Sequence, residues 1–280
     1  MSKLTVGYLY PSVMCHYGDR GNLICLTKRC EWRGIDVEVK YLERGDTVDP
    51  DRVDLFLMGG GADSHQRLIA DDMVKVKGET VKTAIEDGAA ALMVCGGYQL
   101  WGEFYRAYDG TELPGLALFP SYTIHRAAQL GSRLRSIADA RAVRSLGNLA
   151  VQWGDRTLIG FENHGGRTYL RAGARALGRV LAGEGNNSED GWEGCVYKNA
   201  IGTYLHGSLL PKNPALADHL IESALRRRDP GLRLEPLDDD LERRAHESVL
   251  QWVLEQSQLG ARRRRMATSA NGHAGGYAAG

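Results

Sequence analysis

Hydrophobic and polar positions in the first hundred residues switch between two periods. "KLTVGYLYP" (3–11) is a short apolar run and predicts a strand; "GNLICLTKRCEWRG" (21–34) predicts a helix that stops at Gly34. "DVEVKYL" (36–42) alternates with period two, as a half-buried strand does, and "VDLFLMGGGADS" (53–64) is a buried strand running into a glycine turn. "DDMVKVKGETVKTAIEDG" (71–88) has helical spacing and closes on a glycine, after which "AAALMVCGG" (89–97) is a further strand. A β-α-β-α-β order predicts a parallel sheet covered by helices on both faces.

Beyond the turn-rich link "YDGTELPG" (108–115) the pattern becomes more β-like. "LALFPSYTIHR", "LGNLAVQWG", "RTLIGFENHGG" and "GCVYKNAIGTYLHG" predict short strands with tight turns, separated by a segment of undecided state at 131–145. Two helices are expected at 213–228 and 237–258. The end, "ARRRRMATSANGHAGGYAAG" (261–280), carries too little apolar content to pack and is read as a disordered basic tail. The expected division is thus one domain over 1–260 and a tail over 261–280.

Bulk composition narrows the class. With 280 residues the chain suits one large α/β domain or two small ones. Its 35 basic and 35 acidic residues cancel, so charge gives no argument for nucleic acid or an anionic membrane as main partner. The longest apolar runs are too short to span a bilayer, and "MSKLTVGYLYPSVM" reads as a first strand rather than a signal peptide. Cysteines at 15, 25, 30, 95 and 195 are odd in number and form no C-x-x-C pair. This argues against a disulfide framework and a zinc site, and favours a reducing cytoplasm.

One cysteine stands out. Cys95 follows a buried strand and precedes a helical stretch, with Gly96 and Gly97 beside it. A parallel α/β sheet gathers its chemistry at the carboxyl ends of its strands. A strand–turn–helix elbow needs small neighbours to hold a nucleophile exposed, and the helix N-terminus favours the thiolate. A thiol nucleophile needs a base, and His164 in "GFENHGG" and His206 in "GTYLHGS" both end short strands beside glycine. The "MGGGADS" turn, through Gly60 and Gly61, is expected to offer backbone N–H groups to an oxyanion together with Gly96. These residues point to a cysteine nucleophile and leave amidase, thioesterase and protease open.

V-C-G-G-Y-Q at 94–99 resembles the nucleophile elbow of class I glutamine amidotransferases. With "YGDRGN" (17–22), "GFENHGGRTYL" (160–170) and "GTYLHGSLLPKNP" (202–214), the chain is similar to the cobyric-acid-synthase-like branch, and within it to the glutaminase subunits of lipid II isoglutaminyl synthases. The resemblance implies a flavodoxin-like α/β fold with a mixed, largely parallel central sheet flanked by helices. It implies glutamine hydrolysis through a thioester on Cys95, with His206 as base and His164 as a structural or substrate-edge residue. Arg144 is implied as the partner of the glutamine α-carboxylate, and Gln99 as a substrate contact or a cap of the elbow helix.

The sequence departs from the wider class at Ser208, where many members carry the glutamate that orients the histidine. The orienting carboxylate is therefore expected from a partner subunit, with Glu162 as the in-chain fallback. The segment 131–143 also looks longer than the family's usual loop. No G-x-x-x-x-G-K-[ST] motif is present, so ATP and Mg are expected on a partner. The resemblance makes that partner a Mur-ligase-like synthetase subunit of the MurT type, holding lipid II and amidating its D-glutamate α-carboxylate. The rival readings are a glutaminase for cobyrinate amidation and a catalytically silent scaffold.

Overall fold

The computed structural model describes residues 3–16, 18–131 and 144–272, with side chains described to residue 260. The undecided segment and the long loop expected at 131–143 lie outside these residues, apart from their ends. Among the described residues fourteen strands follow in order: β1 (Lys3–Leu9), β2 (Asp36–Leu42), β3 (Leu55–Met58), β4 (Ala90–Val94), β5 (Phe104–Arg106), β6 (Glu112–Pro114) and β7 (Ser121–His125). The second half adds β8 (Ser145–Trp153), β9 (Arg156–His164), β10 (Gly166–Leu170), β11 (Gly178–Ala182), β12 (Trp192–Glu193), β13 (Cys195–Tyr197) and β14 (Ala200–Thr203).

Six of them form the central sheet in the order β13-β14-β4-β3-β1-β2, with every pairing parallel except β13 with β14. The inner strands β3 and β4 are buried at every position, which is why their sequences are unbroken apolar runs. β2 lies at the edge and keeps the alternation of a strand with one wet face. The flanking helices include α1 (Arg20–Glu31), α2 (Asp63–Asp72), α3 (Gly78–Glu86) and α4 (Gly96–Trp101). A single π-turn over Met73–Lys77 joins α2 to α3, so the helical stretch starts earlier than the expected residue 71.

The β-rich second half builds two further four-stranded sheets, ordered β10-β7-β5-β6 and β12-β11-β8-β9. Local pattern foretold β7, β8 and β9 but not β5, β6, β11 or β12, nor this division, because the pairings that define it are non-local. Helix Pro214–Arg226 falls where expected. The last helix spans Asp240–Gly272, so the expected boundary at 260 falls inside it; arginine, alanine and methionine are good helix formers there. Residues 273–280 lie outside the described residues. Among the described residues no helix is long and apolar enough to cross a membrane.

Candidate functional site

At the end of β4 the chain turns sharply into α4, and Cys95 sits at the corner with φ 51° and ψ −104°. A side chain at positive φ is strained and persists only where the surroundings dictate it. The neighbouring glycines explain how. A Cβ on Gly97 would lie 3.1 Å from both Met58 Cγ and Met58 O, so α4 could not pack against the end of β3 with a larger residue. The Cys95 N–H donates to Thr203 O at 2.8 Å, which ties the elbow to the adjacent strand β14.

Three residues beyond β14, His206 is fully buried, and its backbone pairs with Phe161 of β9. The imidazole Nδ1 lies 3.2 Å from Asp19 Oδ1, a carboxylate that is itself 1% exposed. The other Asp19 oxygen accepts the Gly60 N–H at 2.8 Å. A Cβ on Gly60 would meet His206 Cε1 at 2.8 Å, Cys95 Cβ at 3.2 Å and Asp19 Oδ2 at 3.6 Å. Cys95, His206 and Asp19 therefore surround one point, and only glycine fits there.

Within this chain the carboxylate that meets His206 is Asp19, and Glu162 does not reach it. Chain geometry rules out Glu162. Residues paired across an antiparallel bridge share a face and their neighbours take the other. Since Phe161 is paired with His206, Glu162 faces away from it. Glu162 instead accepts the N–H groups of Glu184 (2.7 Å) and Gly185 (3.1 Å) and faces His164 Nε2 at 3.6 Å. Ser208, which replaces the usual glutamate, donates to Gly18 O at 2.8 Å, and Asn22 Oδ1 accepts the Leu210 N–H at 2.9 Å. The "YGDRGN" loop is clasped to the segment after His206 on both sides of Asp19. The motif marks the loop in the sequence, but nothing local in it assigns Asp19 to His206.

Electrostatics follow from this packing. Burial pushes the His206 imidazolium down, but its contacts with Cys95 and the Asp19 carboxylate outweigh it and raise the ring to about 10. The ring therefore keeps both protons at neutral pH and stands ready as an acid. His164 is the opposite case: burial drives it down to about 3, so it is neutral. Its Nδ1 donates to Gly166 O at 2.8 Å and its ring stacks on Tyr204 with centroids 3.6 Å apart, a structural setting at the edge of the site.

Of the three expected oxyanion donors, Gly60 drops out, because its N–H is spent on Asp19. Gly61 and Gly96 remain: a Cβ on Gly96 would lie 3.1 Å from Gly61 N, and neither N–H has a hydrogen-bond partner among the described residues. Cys95 opens into a cavity of about 610 Å³ whose walls include Gly61, Gln66, Gln99, Arg144, His164 and Gly166. Arg144 stands at the rim, its guanidinium held on the Asn163 side-chain oxygen at 2.8 and 3.0 Å. Gln99 also borders the cavity, but its amide is engaged at both ends, by Gln66 Nε2 at 2.8 Å and the Tyr204 hydroxyl at 3.2 Å. Among the described residues there is no cluster of three or more histidine, cysteine or acidic side chains that could hold a metal ion.

Comparison with known proteins agrees with this geometry. Residues 5–214 match the CobB/CobQ-like glutamine amidotransferase domain. The chain is 40% identical to the lipid II isoglutaminyl synthase (glutamine-hydrolysing) subunit GatD of Staphylococcus aureus, covering 86% of this chain and 92% of that protein. It is 35% identical to GatD of Streptococcus pneumoniae over 81% and 82% of the two chains. A cobyric acid synthase of Pelotomaculum thermopropionicum is 33% identical over 53% of this chain but only 28% of its own length. In fold, the chain matches the glutaminase domain of Trypanosoma brucei CTPS with a TM-score of 0.50 at 10% identity, covering 83% of this chain and 96% of that one. A cysteine elbow on a largely parallel sheet, a facing histidine and a family match over three quarters of the length lead to one conclusion: this chain belongs to the CobB/CobQ-like glutamine amidotransferase family.

Proposed function

We propose that the chain is the glutamine-hydrolysing subunit of a lipid II isoglutaminyl synthase, releasing ammonia for a Mur-ligase-like partner. The meeting of Cys95, His206 and Asp19 around Gly60 carries the catalytic half of this reading. Cys95 Sγ attacks the carboxamide carbon of glutamine while the Gly61 and Gly96 N–H groups receive the developing oxyanion. The His206 imidazolium gives its proton to the departing nitrogen, and ammonia leaves as the γ-glutamyl thioester forms. The neutral ring then takes a proton from water, which attacks the thioester and frees glutamate. Asp19 holds the Nδ1 proton throughout and fixes the ring's orientation. Arg144, already presented at the rim, pairs with the α-carboxylate of glutamine.

The acceptor half rests on the relatives. The chain spans nearly the whole length of two GatD subunits but a small part of cobyric acid synthases. Such a subunit needs a separate synthetase to bind ATP and Mg and to activate the D-glutamate α-carboxylate of lipid II. The test is co-purification with a Mur-ligase-like synthetase from the same cell, followed by glutamine-dependent amidation of lipid II. Nitrogen from amide-labelled glutamine is expected in the stem peptide; transfer to a cobyrinate instead, or no transfer with both subunits present, would overturn this assignment.

A further inference from the structure

We propose that the Gln66 side-chain oxygen accepts a hydrogen bond from the carboxamide N–H of bound glutamine and so selects glutamine over glutamate. This rests on the glutaminase reading above. Gln66 lies on α2, is 1% exposed, and lines the cavity into which Cys95 opens. Its Nε2 donates to Gly61 O at 3.3 Å and to Gln99 Oε1 at 2.8 Å, while Oε1 has no partner among the described residues. A buried amide oxygen without a donor costs stability unless a ligand supplies one.

The orientation of this amide is fixed by its neighbours. A backbone carbonyl can only accept, so Gly61 O requires Gln66 to present its nitrogen. Gln66 Nε2 in turn requires Gln99 to present its oxygen, which turns Gln99 Nε2 toward the Tyr204 hydroxyl at 3.2 Å. The Tyr204 hydroxyl also lies 2.7 Å from Thr168 Oγ1, and Thr168 lies 2.7 Å from Thr123 Oγ1. The bonds from Gly61 through Gln66 and Gln99 to Tyr204 have one direction, and they leave Gln66 Oε1 as an acceptor without a donor among the described residues. Gln99 thus positions the reader instead of touching substrate itself.

The Gln66 amide is at the reacting end of the cavity. Gln66 Nε2 lies 3.2 Å from the place a Cβ on Gly96 would take, next to Cys95, whereas Arg144 stands at the rim beside Asn163. The donor facing Gln66 is therefore the carboxamide of glutamine and not its α-ammonium. Glutamate at neutral pH would set a carboxylate against the same lone pairs and be rejected.

A comparison of two substrates on two proteins tests this. L-glutamine and the γ-methyl ester of L-glutamate both acylate Cys95, but the ester has no N–H at the reacting carbonyl. In Gln66→Met, kcat/KM for glutamine is expected to fall roughly ten- to a hundredfold while that for the ester changes less than about threefold. L-glutamate should also become a stronger inhibitor relative to glutamine. Equal losses for both substrates would make Gln66 a structural residue, and no loss for either would remove it from recognition; both outcomes overturn the proposal. Should Gln66→Met fail to fold, Gln66→Asn withdraws the oxygen by one methylene while keeping the amide, and the same ratio is read. A wild-type protein that hydrolyses neither substrate would instead overturn the glutaminase reading.

Discussion

Replacing Cys95 with alanine is expected to abolish ammonia release from glutamine, a loss on the order of a millionfold, while the protein stays folded. The thiols of Cys25, Cys30 and Cys195 cannot substitute. Cys30 and Cys195 are buried with pKa values pushed up to about 12 by desolvation, and Cys25 is raised to about 12 as well. Those groups stay protonated, and a thiol is a poor nucleophile in that form. Fold should survive because alanine keeps the Cβ that the positive-φ corner already accommodates and loses only the sulfur. With the synthetase present, amidation driven by high external ammonium should be intact, since that chemistry belongs to the partner. Rates are read by a coupled glutamate assay and fold by circular dichroism. Residual turnover within a hundredfold of wild type would remove Cys95 from the nucleophile's role.

Asp19→Asn should cost glutaminase activity on the order of ten-thousandfold, the loss seen when a comparable histidine base loses its carboxylate and takes the wrong tautomer. The asparagine amide can turn its nitrogen toward either His206 Nδ1 or the Gly60 N–H, and at each it would set donor against donor. A shift in the pH profile separates positioning from a general structural effect. Asp19 is one of the groups that hold His206 up to about 10, so the imidazolium keeps its proton until the pH rises toward that value. Without the carboxylate the folded pKa falls. The alkaline limb of kcat against pH should therefore move to lower pH, whereas simple loss of folded protein would lower the whole curve without moving it. An unmoved limb together with a loss below tenfold would contradict the role given to Asp19.

The elbow could be read from sequence because every signal for it is local. An apolar run, a cysteine, two glycines and a helical pattern fall within a dozen residues, and the structure places them as strand, corner and helix. Resemblance to a family was needed to choose His206 over His164, since both end strands beside glycine. The structure separates them by environment: His206 meets Asp19 beside Cys95, while His164 meets a backbone carbonyl, the ring of Tyr204 and, at 3.6 Å, Glu162. Asp19 was beyond sequence reasoning because its partner is 187 residues away and its loop has no period to place it on a face.

Glu162 attracted attention by lying between Phe161 and His164, yet strand alternation puts residues 162 and 164 on the same face. Its carboxyl therefore serves the His164 side, and burial raises it to about 7. Gly60 looked like an oxyanion donor for a sound reason, a glycine turn at a strand end. Its N–H turned out to be committed to the aspartate that the sequence reading had not placed.

The proposed triad of Cys95, His206 and Asp19 requires no residue of a partner. The most direct test is ammonia release from glutamine by the isolated chain, measured with and without a saturating amount of synthetase under identical conditions. With Asp19 in place against His206, the isolated chain should hydrolyse glutamine within about tenfold of the complex, and Glu162→Gln should leave that rate within the same range. A chain that is inert alone and is switched on about a thousandfold or more by an acidic residue of the synthetase would show that the orienting carboxylate comes from the partner, and would contradict the in-chain triad.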